Sequence, residues 1–343
     1  AVSKGAMLSH KNLSSNVQQI KAWFPEFKRG ELTSIGVLPY FHSFGMTTVM
    51  NISAFYGWTQ VLIPRPEAGA VLEALIKHKV DFMPAVPTFY VGLLNHPKIK
   101  EADISTIKGC FSGAAPLPVD VIREFEAKTG APICEGYGLS ETTPVVTINP
   151  YGGKTIPGSI GLPIPDTECK IVDLDEGTKE MEIGQEGELC IRGPQVMSGY
   201  YKMPDETAKT LRDGWLYTGD IAKVDENGYF YIVDRKKDMI IAGGYNIYPR
   251  DIDEVLFEHP KILEACAIGV PDKYRGETVK AFVVLKPGET MTEQEVIDYC
   301  KTKLAAYKVP KMVEFINELP KSNVGKILRK ELRKMELEKM EKK

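Results

Sequence analysis

Between Leu32 and Pro150 the chain alternates short apolar segments with amphipathic ones, and no other feature of the sequence constrains the fold as strongly. The apolar segments suit strands, and the segments between them are long enough for helices. Strands separated by such helices predict a parallel sheet covered on both faces. The predicted strands are Thr33 to Leu38, Gln60 to Ile63, Val80 to Met83, Ile107 to Ser112 and Ile133 to Tyr137, with helices over Glu67 to Lys79 and around Phe89 and Val119.

Ligands of parallel sheets bind at the carboxyl ends of the strands. Three stretches fall at such ends: Leu38 to Gly45, Ser112 to Leu117, and Cys134 to Pro144. In the first, His42 lies beside two phenylalanines, which is more often the setting of a core histidine than of a catalytic one. The second is equally compatible with an ordinary turn between a strand and a helix.

The third stretch combines two glycines, an aromatic ring, hydroxyls and a carboxylate within a few residues. Tyr137 would cover a base, Ser140 and Thr142 would donate hydrogen bonds to phosphate oxygens, and Glu141 would hold a hard cation through oxygen. This composition predicts a nucleotide site. Near the N-terminus, Lys4 beside a glycine at a helix entrance suits phosphate binding, although an exposed N-terminal arm is the commoner meaning of such a segment.

From Tyr151 to Val233 the sequence changes to turn signals every eight to twelve residues or so, with short alternating strands between them. This pattern predicts a small β-barrel or twisted-sheet subdomain. It contains the sequence Thr218-Gly219-Asp220. A carboxylate held in such a turn is one way to bind a ribose diol, although most such turns have only a structural role.

Two β-prone runs between Tyr229 and Arg250 flank five consecutive charged residues, Asp234 to Asp238. The charged segment predicts a solvated connection, either a hinge between domains or the turn of a hairpin. An α+β pattern of about a hundred residues follows it. We therefore expect an α/β domain over residues 1–150, a β-barrel-like subdomain over 151–234 and a C-terminal α+β domain over 235–343.

Composition excludes several classes of function. The net charge of -3 implies no general attraction to nucleic acid or anionic lipid. The six cysteines show no metal-binding or redox spacing, which indicates a reducing compartment and predicts a cytoplasmic protein. No run approaches the ~18 apolar residues of a membrane span, so we expect at most peripheral membrane contact. The sequence does not fix the oligomeric state, and a homodimer is among the arrangements it allows.

Taken together and in this order, the stretches resemble the adenylate-forming superfamily of acyl-CoA synthetases, luciferases and peptide-synthetase adenylation domains. The resemblance covers nearly the whole chain and implies an enzyme that uses ATP, Mg²⁺ and a carboxylic acid. The resemblance implies nucleotide binding for nine residues: Lys4, Gly113, Ala114, Ala115, Gly136, Tyr137, Gly138, Asp220 and Arg235. It implies that Ser140 contacts phosphate, that Glu141 binds magnesium, and that the acid tunnel is bordered by His42, Phe44 and Gly45. It also implies that Lys237 is the hinge pivot and that Lys326 contacts the reacting carboxylate.

Within that superfamily, the run from Asp234 to Pro249 looks most like fatty-acid CoA ligases, which implies coenzyme A as the second substrate. Adjacent Gly243 and Gly244 would let the narrow pantetheine arm pass close to the backbone. The family's phosphate loop ends in Pro-Lys-Gly, and this sequence begins inside that loop with Ser3 in place of proline, so a fragment is expected. The alternatives are an aryl-acid CoA ligase and a nucleotide- or acyl-binding fragment that does not catalyse the reaction.

Overall fold

The computed structural model describes residues 4–115, 117–322 and 327–341, and it contains two compact units. The first unit comprises the residues up to Thr218 together with Ala222–Ile232. The second comprises Gly219–Ile221 and the residues from Val233 onward. The predicted division into three domains, with boundaries after residues 150 and 234, stays a prediction.

The first unit is built on a seven-stranded sheet with the order β2-β1-β3-β4-β5-β6-β7. Its strands are β1 Thr33–Gly36, β2 Thr59–Leu62, β3 Phe82–Ala85, β4 Gly109–Ser112, β5 Ile133–Gly138, β6 Val145–Ile148 and β7 Leu162–Pro163. The strands from β1 to β5 pair in parallel, whereas β6 and β7 are added antiparallel. The predicted parallel sheet is therefore confirmed, and its boundaries shift by only a few residues.

Helices connect the parallel strands. They are α1 His10–Trp23, α2 Ser43–Gly45, α3 Ile52–Tyr56, α4 Ala68–His78, α5 Pro87–Leu94 and α6 Val119–Thr129, with a π-helical segment Met46–Asn51 between α2 and α3. The hydroxyl of Ser9 caps α1 by accepting a hydrogen bond from the N–H of Asn12, whose side chain accepts the N–H of Ser9 in return. The chain passes from β1 outward to β2 and then back to β3, so the strand order reverses at β1. Such a reversal opens a crevice at the carboxyl ends of the strands.

A second sheet in the chain is antiparallel, in the region predicted as a β-barrel-like subdomain. It has the order β10-β11-β9-β8, with β12 beside β11. Its elements are β8 Glu168–Val172, β9 Gly187–Arg192, α7 Pro204–Thr210, β10 Leu211–Arg212, β11 Trp215–Val224 and β12 Phe230–Arg235. Their length and spacing agree with the turn signals of the sequence.

The second unit has the expected α+β composition. Its elements are β13 Ile240–Ala242, β14 Tyr245–Ile247, α8 Pro249–Phe257, β15 Ile262–Asp272, β16 Gly276–Leu285, α9 Glu293–Lys303, β17 Met312–Phe315 and α10 Arg329–Glu341. The long β15–β16 ribbon has two apolar faces. One belongs to the core that includes Ile252 of α8 and Val296 of α9, and the other packs with Leu332 of α10.

No helix of the described residues is both long and apolar enough to cross a membrane. All six cysteine thiols are free, and five of them are buried. Burial raises the pKa of Cys110 and Cys134, the latter to about 12, so both stay protonated at neutral pH. These thiols are packing groups, as their scattered spacing predicted.

A buried ion pair joins α10 to α8. The guanidinium of Arg329 bonds to one carboxylate oxygen of Asp253, and the other oxygen accepts the N–H of Ala267 at 2.6 Å. Burial raises the pKa of Asp253 to about 7, and Arg329 and the Ala267 N–H oppose that shift. Asp253 therefore depends on Arg329 to remain charged inside the unit.

We expect Arg329→Met to destabilise the second unit progressively above pH 7, by up to about 1.4 kcal/mol for each pH unit, because it leaves a buried carboxylate without its cation. The loss should be small near pH 4 and should grow towards pH 8. In the wild type the folded-state pKa of Asp253 lies above the ordinary value of 3.8, so its contribution to stability is fully present below that value and is lost as the pH rises through about 7. Without Arg329 the folded-state pKa is higher still, so the variant continues to lose stability above pH 7, where the wild type no longer does.

Hydrogen exchange of the β15 and β16 amides measures this stability, because all three tryptophans, Trp23, Trp58 and Trp215, lie in the first unit. Adding Asp253→Asn to Arg329→Met should flatten the pH dependence. A loss that is independent of pH would contradict the assignment of the effect to Asp253.

Candidate active site

Parts of all three predicted stretches meet at one edge of the parallel sheet. They come from Leu38 to Gly45, from Cys134 to Pro144, and from the part of Ser112 to Leu117 that follows β4. The Phe44 ring, in the loop after β1, packs edge-on against Phe111 of β4 with ring centroids 5.4 Å apart. A Cβ atom placed on Gly113 would lie 3.2 Å from the same Phe44 ring. The Ser43 and Ser140 hydroxyl oxygens are 3.4 Å apart, which brings the loop after β5 to this edge as well. Residues nearly a hundred positions apart thus form one neighbourhood.

The loop after β4 contains the predicted adenine-binding residues. Gly113 is buried, whereas Ala114 and Ala115 are exposed. Ala114 has a φ of 72°, which is unusual for a residue with a side chain. Strained backbone of this kind persists where the surrounding structure holds it, and it is common at ligand sites. Pro116, the next residue, lies outside the described residues.

A buried carboxylate that the sequence did not indicate anchors this loop. One side-chain oxygen of Glu135 accepts the N–H of Leu117 at 3.3 Å, and the other accepts the N–H of Gly158 at 3.1 Å. Glu135 itself lies within β5, between residues whose side chains gave a purely apolar pattern. Its backbone oxygen accepts hydrogen bonds from Asn149. Glu135 therefore holds two loops beside the end of β4.

The glycines of β5 have a packing reason. A Cβ on Gly136 would lie 2.4 Å from the Phe111 ring and 2.8 Å from the Thr147 carbonyl oxygen, and one on Gly138 would lie 2.1 Å from the Pro144 carbonyl oxygen. Close approach of the backbone therefore requires glycine at both positions. Gly45 is required in the same way, since its Cβ would meet the Pro39 carbonyl oxygen at 2.5 Å. Roles of these glycines in nucleotide or acid binding stay predictions.

Ser140 and Glu141 begin a short 3₁₀ turn, Ser140–Thr142, directly after β5. Thr142 was predicted to donate to phosphate, and the structure contradicts this. Its side chain is fully buried and its hydroxyl bonds to the carbonyl oxygens of Leu139 and Pro144 within the turn. Thr142 fixes the turn and is not available to a ligand.

Glu141 is held in place by Tyr200. The Tyr200 hydroxyl donates to one carboxylate oxygen of Glu141 at 2.7 Å, and the Glu141 carbonyl accepts the N–H of Met197 at 2.8 Å. Burial and the bond to Glu141 raise the pKa of Tyr200, so the phenol remains a proton donor at neutral pH. The sequence gave no signal for Tyr200, because it lies 59 positions from its partner.

Lys4 belongs to the same neighbourhood. Its ammonium lies 5.0 Å from the centroid of the Tyr200 ring and forms an ion pair with Glu206. Backbone bonds from Met7 to Gly199 and from Tyr201 to Gly5 fix this segment alongside the Tyr200 loop. Lys4, which is predicted to bind phosphate, and Glu141, which is predicted to bind magnesium, therefore both contact Tyr200.

The acidic groups present suit a metal ion that also binds phosphate. Among residues 4–115, 117–322 and 327–341 there is no cluster of three or more His, Cys, Asp or Glu that would hold a metal by itself. Magnesium is commonly held by one or two carboxylates together with nucleotide phosphates. Glu141, with one oxygen bonded to Tyr200, fits that pattern.

His42 has a structural role in addition to its predicted one. Its Nδ1 accepts the N–H of Phe44 at 3.2 Å and so caps α2. The cap orients the turn that carries Phe44 and Gly45. Contact between these residues and an acid stays a prediction.

In the second unit the two predicted ribose ligands are paired. The Arg235 Nε lies 3.0 Å from a carboxylate oxygen of Asp220, whose side chain is only 4% exposed. A nearly buried carboxylate oriented by a half-exposed arginine is suited to accept hydrogen bonds from a diol. Lys326 lies outside the described residues.

The charged run of the predicted hinge is only partly solvated, which corrects the sequence analysis. Lys237 is exposed, but Asp234 and Asp238 are buried. Asp234 accepts the backbone N–H groups of Arg235 and Arg250 at 2.6 and 2.9 Å. These carboxylates are buried because they have hydrogen-bond partners, and local sequence does not reveal such partners.

Gly243 and Gly244 form a two-residue turn between β13 and β14, in which Ala242 pairs with Tyr245. Their φ values are 59° and 83°. A turn with positive φ at both central residues favours glycine for conformational reasons alone. Their predicted place on the thiol path stays a prediction.

Comparison with known proteins identifies the family. Residues 1–201 match the family model described as AMP-binding enzyme, and residues 251–326 match the model described as AMP-binding enzyme C-terminal domain. A long-chain-fatty-acid–CoA ligase of Bacillus subtilis (strain 168) is 50% identical over 98% of this chain. A feruloyl-CoA synthase of an Amycolatopsis species is 38% identical over 96% of it.

The chain spans 60% of the length of the Bacillus ligase and 67% of that of the Amycolatopsis synthase. Among solved structures, the crystal structure of ATP-bound MatB from Rhodopseudomonas palustris matches 97% of this chain with a TM-score of 0.91 and 36% identity. This chain covers 65% of that structure.

The packing at β5 predicts that Gly136→Ala destabilises the first unit by about 1–3 kcal/mol, because the added methyl group overpacks the buried Phe111 ring. Gly113→Ala is the matched control. Its methyl would lie 3.2 Å from the Phe44 ring and at an ordinary contact distance of 3.6 Å from the Gly136 carbonyl oxygen, and we expect a loss under about 1 kcal/mol. Urea unfolding followed by tryptophan fluorescence compares the two variants, and equal losses would contradict the proposed role of Gly136.

Proposed function

Since the chain belongs to the AMP-binding enzyme family, we propose that the full-length protein activates a long- or medium-chain fatty acid with ATP and transfers the acyl group to coenzyme A. The likeness to the Bacillus subtilis ligase, which runs through both units, carries this proposal. The proposed site supports it, because Lys4, Tyr200 and Glu141 adjoin at the ends of the parallel strands.

In the proposed reaction a carboxylate oxygen attacks the α-phosphorus of ATP, and pyrophosphate leaves to give an acyl-adenylate. The coenzyme A sulfur then attacks the acyl carbon, the thiol proton is lost and AMP leaves. Negative charge develops on oxygen in the first step, so fixed cations and backbone donors are the useful protein groups. A magnesium ion held by Glu141 and the phosphates would neutralise part of that charge.

The protein's own groups have separable tasks in this proposal. Tyr200 orients the Glu141 carboxylate, and Lys4, whose ammonium lies over the Tyr200 ring and pairs with Glu206, provides a cation for the phosphates. The exposed residues Ala114 and Ala115 contact the adenine in this proposal. Asp220, oriented by Arg235, accepts the ribose hydroxyls, and Lys326 reaches the carboxylate and the α-phosphate. Lys237 serves as the pivot between the two half-reactions.

The second candidate is an aryl-acid CoA ligase, which the likeness to a feruloyl-CoA synthase favours. The cytoplasm is the proposed location on the pattern of free, mostly buried thiols. The proposed partners are the acid, ATP and coenzyme A, with no nucleic acid, at most peripheral membrane contact and a homodimer as an arrangement to be tested.

An acid panel separates the candidates. We expect the full-length protein to form thioesters from saturated acids of graded length and to show its highest kcat/KM with a medium or long chain. Ferulate and benzoate should be at least about tenfold poorer, since each methylene buried in an apolar pocket contributes about 0.8 kcal/mol. A preference for the aryl acids would establish the second candidate. Binding of ATP with no thioester from any acid would leave only a binding module.

Lys326→Ala tests the proposed chemistry of the first step. Loss of one preorganised donor at developing charge lowers a rate by roughly 10²- to 10³-fold. We expect that loss in acyl-adenylate formation, measured as pyrophosphate exchange, while supplied acyl-adenylate is converted to thioester at nearly the normal rate. The matched control is Lys330→Ala, an exposed lysine at the start of α10. Equal losses in both steps would contradict a role confined to adenylation.

A further inference from the structure

The C-terminal helix α10 is fixed to the rest of the second unit by directional polar contacts at both ends. At its start Arg329 pairs with the buried Asp253 of α8. Towards its end Lys339 bonds to Glu314 of β17 at 2.6 Å and to Glu336 of its own helix at 2.9 Å. Between these points Leu332 is completely buried against the β15–β16 ribbon. The helix therefore moves only with the sheet beneath it.

Arg333, one turn after Arg329, extends from this fixed helix to the predicted pivot. Its Nη1 donates to the backbone oxygen of Lys237 at 3.0 Å, and its Nη2 donates to the backbone oxygen of Asp238 at 2.9 Å. Nη1 also lies 3.3 Å from the Asp238 carboxylate. Two arms of one planar guanidinium thus hold two successive carbonyl groups.

These two bonds fix specific torsions. The peptide bond is planar, so the oxygen of Lys237 defines the plane that precedes Asp238, and the oxygen of Asp238 defines the plane that follows it. Holding both planes against α10 fixes φ and ψ of Asp238. The residue before Asp238 is Lys237, and its φ and ψ are not fixed by Arg333.

Other hydrogen bonds also cross Lys237. The Arg250 N–H donates to the Asp234 carboxylate at 2.9 Å. The N–H groups of Asp238 and Met239 both donate to the Arg235 carbonyl oxygen, at 2.9 and 3.1 Å. A rotation about Lys237 changes these distances, because donor and acceptor lie on opposite sides of the rotating bonds. The Arg333 bonds survive it, because their acceptors lie on the α10 side of those bonds.

We propose that Arg333 is a positioning residue that sets where the hinge ends, by making Asp238 part of the rigid C-terminal unit and confining rotation to Lys237. This inference rests on the proposed function for the use of that rotation.

The first test needs no substrate. In Arg333→Met the Asp238 torsions are released, so trypsin cleavage after Lys237 and hydrogen exchange of the Met239 amide should accelerate by about tenfold. Arg333→Lys keeps the charge but lacks the planar fork that holds two carbonyl oxygens in fixed directions, and it should resemble Arg333→Met. The control is Lys334→Met, whose lysine is 66% exposed and pairs along the helix with Glu338. Rates within twofold of wild type in Arg333→Met would overturn the proposal.

The second test is a double-substitution cycle in the full-length protein. Proline fixes φ at residue 237 and restricts residue 236, so Lys237→Pro should slow thioester formation from supplied acyl-adenylate by about 10²-fold. If Arg333 confines rotation to Lys237, the same proline should cost less than about tenfold in an Arg333→Met background, because Asp238 can then rotate. Independent losses that simply multiply would indicate a purely structural arginine and overturn the proposal.

The two tests separate failure of this inference from failure of the proposed function. A wild-type protein that forms no thioester from any acid contradicts the function, and trypsin cleavage and exchange then decide the role of Arg333 alone. An active wild type in which Lys237→Pro is equally damaging in both backgrounds overturns the role of Arg333 and leaves the function standing.

Discussion

Parallel strands can be joined only by segments that cross back over the sheet, and this constraint governs the first unit. Each crossover returns the chain to the same starting edge, so the loops after β1, β4 and β5 all emerge at the opposite edge. Close packing then fixes their separation, as the contact between the Phe44 and Phe111 rings shows. The neighbourhood of Ser43, Ser140 and Gly113 follows from topology before any ligand is considered.

Glycines within the motifs satisfy two kinds of requirement at once. The backbone at Gly136 passes so near the Phe111 ring that no side chain fits, and the turn at Gly243 and Gly244 needs positive φ at both positions. A glycine in a motif is therefore poor evidence for ligand contact when taken alone. The same close approach brings backbone groups to the edge of the sheet, where a phosphate or a thiol arm would need them.

The sequence predicted the elements whose signal is local. The strands of the parallel sheet and the helix predicted over Glu67 to Lys79, which is observed as Ala68–His78, were visible as periodicity. The π-helical segment Met46–Asn51 was missed, because it has no distinct pattern of its own. The burial of Asp238 was also missed, because its partner Arg333 lies 95 residues away.

The same limit explains why the site was only partly visible. Motif residues such as Glu141 and Asp220 were predicted because their neighbours in sequence are distinctive. The groups that hold them were not, since Tyr200 and Glu135 act on residues brought close only by the fold. Supporting residues are defined by tertiary contact, so a single sequence identifies the chemistry of a site better than the means by which it is held.

The second unit shows why directional contacts matter in a part of the chain expected to move as one body. Helix α10 buries little apolar surface, since Leu332 and Glu336 are its buried side chains among those described. Apolar contact alone would let such a helix slide, because the hydrophobic effect has no preferred direction. The ammonium of Lys280, 9% exposed, lies 2.6 Å from Glu314 and 2.7 Å from Glu336, and ion pairs of this geometry exist in one register only. Polar pairs at both ends thus supply the stiffness that apolar contact does not.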